Sequence, residues 1–184
     1  DMHAHGGWNY DTNEDDAEGL HRWASHLPEE GVTAFCPTTV TDDHPVLLAA
    51  LRNIASVMRH PPVGAEILGI HLEGPFLNPL YRGAQPERAI RQTSLADFAA
   101  YEQAAEGNII AITLAPEMDA NHQLIRYCKE RNITVSMGHS DASFEQALEA
   151  MSNGAGSVTH VYNGMAKYIN REPGLLGAAW RLDG

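Results

Sequence analysis

Basic residues are scarce in this chain: 12 lysines and arginines stand against 24 aspartates and glutamates, a formal net charge of −12. A surface of that sign repels the phosphates of nucleic acids, so no nucleic-acid partner is expected. A small anionic ligand is not excluded, because an arginine or a few main-chain N–H groups hold a phosphate locally. Cysteine is rarer still. Cys36 and Cys128 stand outside any Cys-x-x-Cys pattern, which suits a reduced, cytoplasmic protein in which both thiols are buried as small hydrophobes. The chain also lacks a run of the roughly 18–20 apolar residues that spans a membrane, so no membrane partner is expected. No Gly-x-Gly-x-x-Gly follows the first strand-like segment, which removes the main support for a nucleotide-binding reading. Asp1 opens the chain with no methionine and no signal-like segment, which points to a start other than the natural one.

What the chain does have is an ordinary globular composition, 43% hydrophobic and 20% charged over 184 residues, enough for one domain with a sizeable core. Short apolar runs alternate with longer amphipathic ones. Strands are expected at 1–5, 33–37, 67–73, 109–115, 134–138 and 157–160, with helices at 15–27, 45–60, 94–106, 120–131 and 143–153. Thr93 or Ser94 is the expected cap of the third helix, Gly107 its stop, and Asn153-Gly154 the end of the fifth. Strict alternation implies a parallel sheet, either an open doubly wound one or a (β/α)8 barrel. The polar residues decide between them. His5, Glu73, Glu117, His139 and His160 all fall at or just after the C-terminal ends of expected strands. A barrel brings several such ends to one mouth, whereas an open sheet concentrates its site at one switch point. The expected fold is therefore α/β, a TIM-type metal-dependent hydrolase barrel, of which residues 1–184 carry about six βα units in one partial domain.

The chemistry lies in the histidines, ten in all. His3 and His5 are two apart on a strand and so share a face, about 6–7 Å from each other, where both imidazoles can ligate one divalent cation. Taken alone the pair also reads as two solvated histidines at a strand end. Glu73 is followed by Gly74-Pro75, a turn that sets its carboxylate at a strand terminus, as a metal ligand or as an acceptor for a loop amide. His71 shares the Glu73 face and reads as a satisfied core histidine. His139 and His160 occupy equivalent positions one βα unit apart, which packing explains poorly. With Glu73 they form a set of two histidines and a carboxylate that leaves one position open, the pattern of a catalytic rather than a structural site. A cation there brings the pKa of its water to about 7. His21, His26, His44, His60 and His122 fall in helices or turns and read as surface residues.

Taken together the motifs resemble one family in the amidohydrolase superfamily, the N-acetylglucosamine-6-phosphate deacetylases. The matching stretches are His3-Ala4-His5-Gly6-Gly7, the run from Leu72 to Pro79, Thr113-Leu114-Ala115-Pro116-Glu117, Gly138-His139-Ser140, the run from Thr159 to Met165, and Arg171-Glu172-Pro173-Gly174. The resemblance implies a barrel flanked by a small β-sandwich built from both chain ends, outside this sequence. It implies that Glu73, His139 and His160 hold the main metal and that His3 and His5 are candidates for a second. Zinc is the expected ion, one or two in number, and iron, manganese or cobalt suit similar geometry. By the same resemblance Asn163 and Gly164 meet the sugar phosphate, and Arg171 reaches the phosphate held by a neighbouring subunit, which implies a homodimer. The implied reaction is hydrolysis of the substrate acetamide to acetate and an amino sugar phosphate. An aspartate on the last barrel strand carries the proton from water to the leaving amine.

Two departures stand out. The family usually has a histidine that polarises the substrate carbonyl where this chain has Gln85, which can donate a hydrogen bond but carries no charge. The catalytic aspartate is expected beyond Gly184. Three further readings remain open at this point: action on N-acetylgalactosamine 6-phosphate, action on another N-acyl amine, and a truncated metal-binding remnant without catalysis.

Overall fold

The computed structural model describes residues 1–181; residues 182–184, the last of the expected barrel domain, lie outside the described residues. The chain divides into two compact units, one of Asp1–Glu73 with Ala96–Ile110, the other of Gly74–Leu95 with the chain from Ala111 onward. Among the described residues no helix is long and apolar enough to cross a membrane.

In the first unit the segment around Ala4 runs parallel to the one around Pro37, linked by Cys36 N–H to the Asp1 carbonyl and Thr38 N–H to the Ala4 carbonyl. The expected first strand is reduced to this bridge. The Ala4 N–H donates to the Thr38 hydroxyl instead of a main-chain carbonyl, and Pro37 has no N–H to give. A tight antiparallel hairpin follows, β1 (Gly6–Gly7) with β2 (Tyr10–Asp11), turning through Trp8 and Asn9 in the left-handed region. Helix α1 (Ala17–His26) starts where the Asp16 carboxylate accepts from the Gly19 N–H. The strand expected at 33–37 is divided by Pro37 into β3 (Ala34–Phe35) and β4 (Thr38–Thr39). After α2 (His44–Arg59), the strand expected at 67–73 also divides, into β5 (Glu66–Ile67) and β6 (Ile70–Glu73). Its halves change partners: β5 pairs in parallel with β3 and β6 with β4. The core of this unit is Leu20, Trp23, Phe35, Leu51, Ile54 and Leu72, with Trp23 edge-on to Phe35 at 4.8 Å.

Helix α3 (Leu95–Ala104) ends near Gly107, which takes φ 77° and returns its N–H to the Glu102 carbonyl. The Thr93 hydroxyl is buried without a hydrogen-bond partner, so of the two expected caps of α3 Thr93 is excluded, and Ser94 directly precedes the helix. Strand β7 (Ile109–Leu114) continues into the second unit, where it pairs in parallel with β8 (Thr134–Met137), and β8 with β9 (Ala155–Val158). Helix α4 (Gln123–Glu130) begins three residues later than expected. Asn121 and His122 are left-handed, and the Asp119 carboxylate caps Leu124 and Ile125 instead. Between β8 and β9 lies α5 (Phe144–Asn153), opened by a reciprocal Ser143–Gln146 capping box and closed by Gly154 as anticipated. A short α6 (Gly174–Ala179), absent from the sequence expectation, packs on α5 with Leu175 and Leu176 buried.

Candidate metal centre

In the first unit β6 ends at Glu73, whose carboxylate is 1% exposed. The extended segment before β1 brings two imidazoles onto it. His3 Nε2 lies 3.4 Å from one Glu73 oxygen, His5 Nε2 lies 3.3 Å from the other, and the two nitrogens are 3.0 Å apart. The i, i+2 spacing thus does what alternation predicts, with ring centroids 4.8 Å apart, edge to face. A zinc ion with ligands at 2.0–2.1 Å and tetrahedral angles needs its donor atoms about 3.3 Å from one another. The three donors therefore fit a divalent cation, and a buried carboxylate facing two ring nitrogens is the chemistry that such an ion requires.

Each ring is held from behind. His5 Nδ1 lies 2.9 Å from the Thr38 carbonyl; in the tautomer that donates there, the Nε2 lone pair is directed at Glu73. The Glu73 carboxylate raises the His5 pKa, more than burial lowers it. His71, on the same face of β6, is buried with Nδ1 3.1 Å from the Met2 carbonyl and its ring edge-on to His3 at 4.8 Å. Burial, and secondarily the neighbouring His3, push its pKa down to about 4, so it is a neutral histidine buttressing His3.

The second unit carries His139 after β8 and His160 after β9, both with a left-handed backbone, φ 49° and 57°. Their rings meet edge to face at 5.1 Å. His139 is buried and His160 exposed. His139 Nδ1 lies 2.9 Å from the Tyr81 carbonyl, the same main-chain support that Thr38 gives His5. Beneath them a ladder of buried hydroxyls crosses the strands, Thr113 to Thr159 at 2.8 Å and Ser136 to Thr159 at 2.6 Å. Gly138 has to be small: a Cβ there would sit 3.0 Å from Thr159 Cβ and 3.1 Å from Thr113 Cγ2. The β8–β9 register slips between Val135 and Ser136, where Gly156 is the extra residue of a bulge, and this sets Thr159 opposite the ladder.

The other residues named from the sequence also lie in the second unit. Gln85 is buried, its N–H donating to the Arg82 carbonyl. Asn163 is exposed, and Gly164, at φ 59°, passes so close to His139 that a Cβ would meet Nδ1 at 3.4 Å. Arg171 is exposed at the tip of a two-bond turn between Ile169 and Glu172. Of the five histidines read as surface residues, His60 is exposed and His21, His26, His44 and His122 are half-buried. His44 Nδ1 lies 2.9 Å from the Tyr101 hydroxyl, and the His122 side chain is 16% exposed with Nε2 3.8 Å from Glu149, because both helix starts turn the ring inward. Thr38 and Tyr81 escaped notice in the sequence, since a main-chain carbonyl leaves no mark on residue type.

Residues 1–177 match the amidohydrolase family profile. The chain is 43% identical, over its whole length, to an N-acetylglucosamine-6-phosphate deacetylase of Bacillus subtilis, of which it covers 47%. It is 37% identical, over 97% of its length, to an N-acetylgalactosamine-6-phosphate deacetylase of Escherichia coli O157:H7, also covering 47% of that protein. Among solved structures, an N-acetyl-D-glucosamine-6-phosphate deacetylase of Mycobacterium smegmatis matches 97% of the chain with a TM-score of 0.90 at 29% identity, and 46% of that protein is covered. The chain spans about half the length of the curated relatives it matches. The parallel α/β class expected from the sequence stands, as part of an amidohydrolase barrel.

Proposed function

The chain belongs to the amidohydrolase family, and from this premise we propose that the whole protein removes the acetyl group of an N-acetylated amino sugar 6-phosphate. N-acetylglucosamine 6-phosphate is the first substrate proposed. The observation that carries the reading is the convergence of His3 Nε2, His5 Nε2 and the buried Glu73 carboxylate at ligand-shell spacing. The names of the relatives supply the substrate class.

In this proposal Glu73, His139 and His160 hold the main metal and His3 and His5 a second; the first set rests on the sequence motifs alone. Zinc is the proposed ion, since imidazole and carboxylate donors suit it, and iron, manganese or cobalt remain chemically suited. A divalent cation supplies a Lewis acid for the acetamide carbonyl and acidifies water to a pKa of about 7. The chain's own residues do the rest. The Thr38 and Tyr81 carbonyls orient His5 and His139. The Gln85 amide donates to the acetamide oxygen, where a neutral donor stabilises developing charge less than an imidazolium does. Asn163 and Gly164 bind the sugar phosphate. The exposed Arg171 guanidinium forks onto the phosphate of the partner in a homodimer. An aspartate C-terminal to Gly184 carries the proton to the leaving amine.

The barrel domain is proposed to include all of residues 1–184. A cytoplasmic setting is proposed from the low cysteine count, Cys36 and Cys128 alone, both buried. The galactosamine epimer is the second reading, favoured by the Escherichia coli relative.

Acetate release by the full-length, metal-loaded protein tests the reading, with both N-acetylated sugars offered with and without the 6-phosphate. Release that needs metal and phosphate together is expected, and faster release from one epimer assigns it. No release from any of the four, with metal bound, would overturn the reading in favour of another N-acyl amine or a non-catalytic metal-binding protein.

A further inference from the structure

Glu117 ends the Thr113–Glu117 motif. It sits in the short turn Pro116–Met118 after β7, and its carboxylate joins two loops of the second unit. Oε1 accepts from Asn78 Nδ2 at 2.9 Å and from the Asp141 N–H at 2.6 Å; Oε2 accepts from the Ser140 hydroxyl at 2.7 Å. Both loops bear on His139. The Asn78 N–H donates to the His139 carbonyl at 2.9 Å, and three residues on, the Tyr81 carbonyl receives His139 Nδ1. Ser140 follows His139 directly, its N–H donating to the Gly164 carbonyl and its hydroxyl accepting from the Ala142 N–H.

His139 needs such support. At φ 49° its backbone is in a region that a residue with a Cβ occupies only when its surroundings fix it. An extended His139 would swing its ring off the Tyr81 carbonyl. Glu117 opposes that on both sides, through Asn78 on the His139 carbonyl and through Ser140 and Asp141 on the chain that follows. A lysine or arginine in its place has no acceptor to offer, and an aspartate is one methylene short of spanning the two loops. The carboxylate acts on His139 through Asn78, Ser140 and Asp141.

We infer that Glu117 is a positioning residue of the metal centre, a clamp that holds His139 in its left-handed conformation and in the tautomer that offers the Nε2 lone pair to a metal. This rests on the reading of His139 as a ligand.

The test uses the full-length protein and reads metal affinity, by competition with a chelating dye, beside the absorption spectrum of the cobalt-substituted form. E117A is expected to weaken the His139-dependent metal by about 10–100-fold, the usual cost of losing an outer partner of a ligand, and to alter the cobalt bands. E117Q keeps an acceptor for Asn78 and Asp141, so it should recover part of that loss. A merely structural Glu117 would lower the urea midpoint of the metal-free protein and leave affinity and bands where they were, and that result in folded E117A overturns the inference. Should E117A fail to fold, S140A decides: it removes the hydrogen bond to Glu117 together with the acceptor of the Ala142 N–H, so a loss of roughly 2–10-fold is expected, and unchanged affinity overturns the clamp. Wild-type protein that takes up no metal overturns both the clamp and the metal reading. Wild type that binds metal but releases no acetate sinks the deacetylase reading alone.

Discussion

The Glu73 carboxylate, 1% exposed, faces two imidazole nitrogens at 3.3–3.4 Å, and a buried carboxylate is costly unless something positive joins it. That is why Glu73 is the residue on which the metal reading turns. Glu73→Gln keeps the shape and removes the charge, and His139→Ala removes a ring without touching Glu73. Both should lower metal content after exhaustive dialysis by more than the roughly 10–100-fold that loss of an outer partner costs. His60→Ala is the matched control, since His60 is exposed; His122 is unsuitable because its ring is mostly covered and lies beside Glu149. Equal metal content in all three proteins would remove the ligand assignment. At this scale the sequence was informative where spacing alone fixes direction, as for His3 and His5. It was silent where the partner is a main-chain carbonyl, as for Thr38 and Tyr81, or where packing turns a helix-start ring inward, as for His44 and His122.

Five of the six strands expected from the apolar runs have counterparts and the first is reduced to a bridge, but the breaks within them follow chemistry that periodicity does not register. Pro37 divides one run because it lacks a donor, and the run at 67–73 divides where its pairing changes from β3 to β4. The Gly156 bulge was equally hidden, although it shifts the register of the chain that leads from β9 into Thr159, the shared partner of Thr113 and Ser136. Gly138 is where element and site meet. Strand β8 passes between Thr113 and Thr159 just before His139, and two β-branched side chains leave a Cβ at Gly138 only 3.0–3.1 Å of clearance. Threonine has little rotamer freedom with which to yield. G138A should therefore push β8 from its neighbours, strain the ladder and destabilise the protein by about 1–3 kcal/mol, the cost of overpacking a filled interior. A urea denaturation curve with an unchanged slope and a midpoint equal to wild type would show that the ladder gives way at no cost.

The charge of −12 on these 184 residues works against any phosphorylated ligand until it reaches a local cation. Arg171 is suited to be that cation because its exposed turn, closed by the Ile169–Glu172 bonds, carries the guanidinium outward. An exposed arginine can serve a site on another chain, and that idea separates cleanly from one in which it serves its own. R171A should raise KM for the 6-phosphate sugar while leaving metal content unchanged, and E73Q should lose metal. If each site takes its metal ligands from one subunit and its arginine from the other, a dimer of one R171A and one E73Q chain contains one intact site. Equilibrating equal amounts makes half of the dimers mixed, so about a quarter of the wild-type sites should return where neither parent has activity at low substrate. Recovery of that size, scaling with the mixed fraction when the ratio is varied, requires a shared site. Mixtures that stay at the sum of their parents after subunit exchange has been verified would place Arg171 in the service of its own chain.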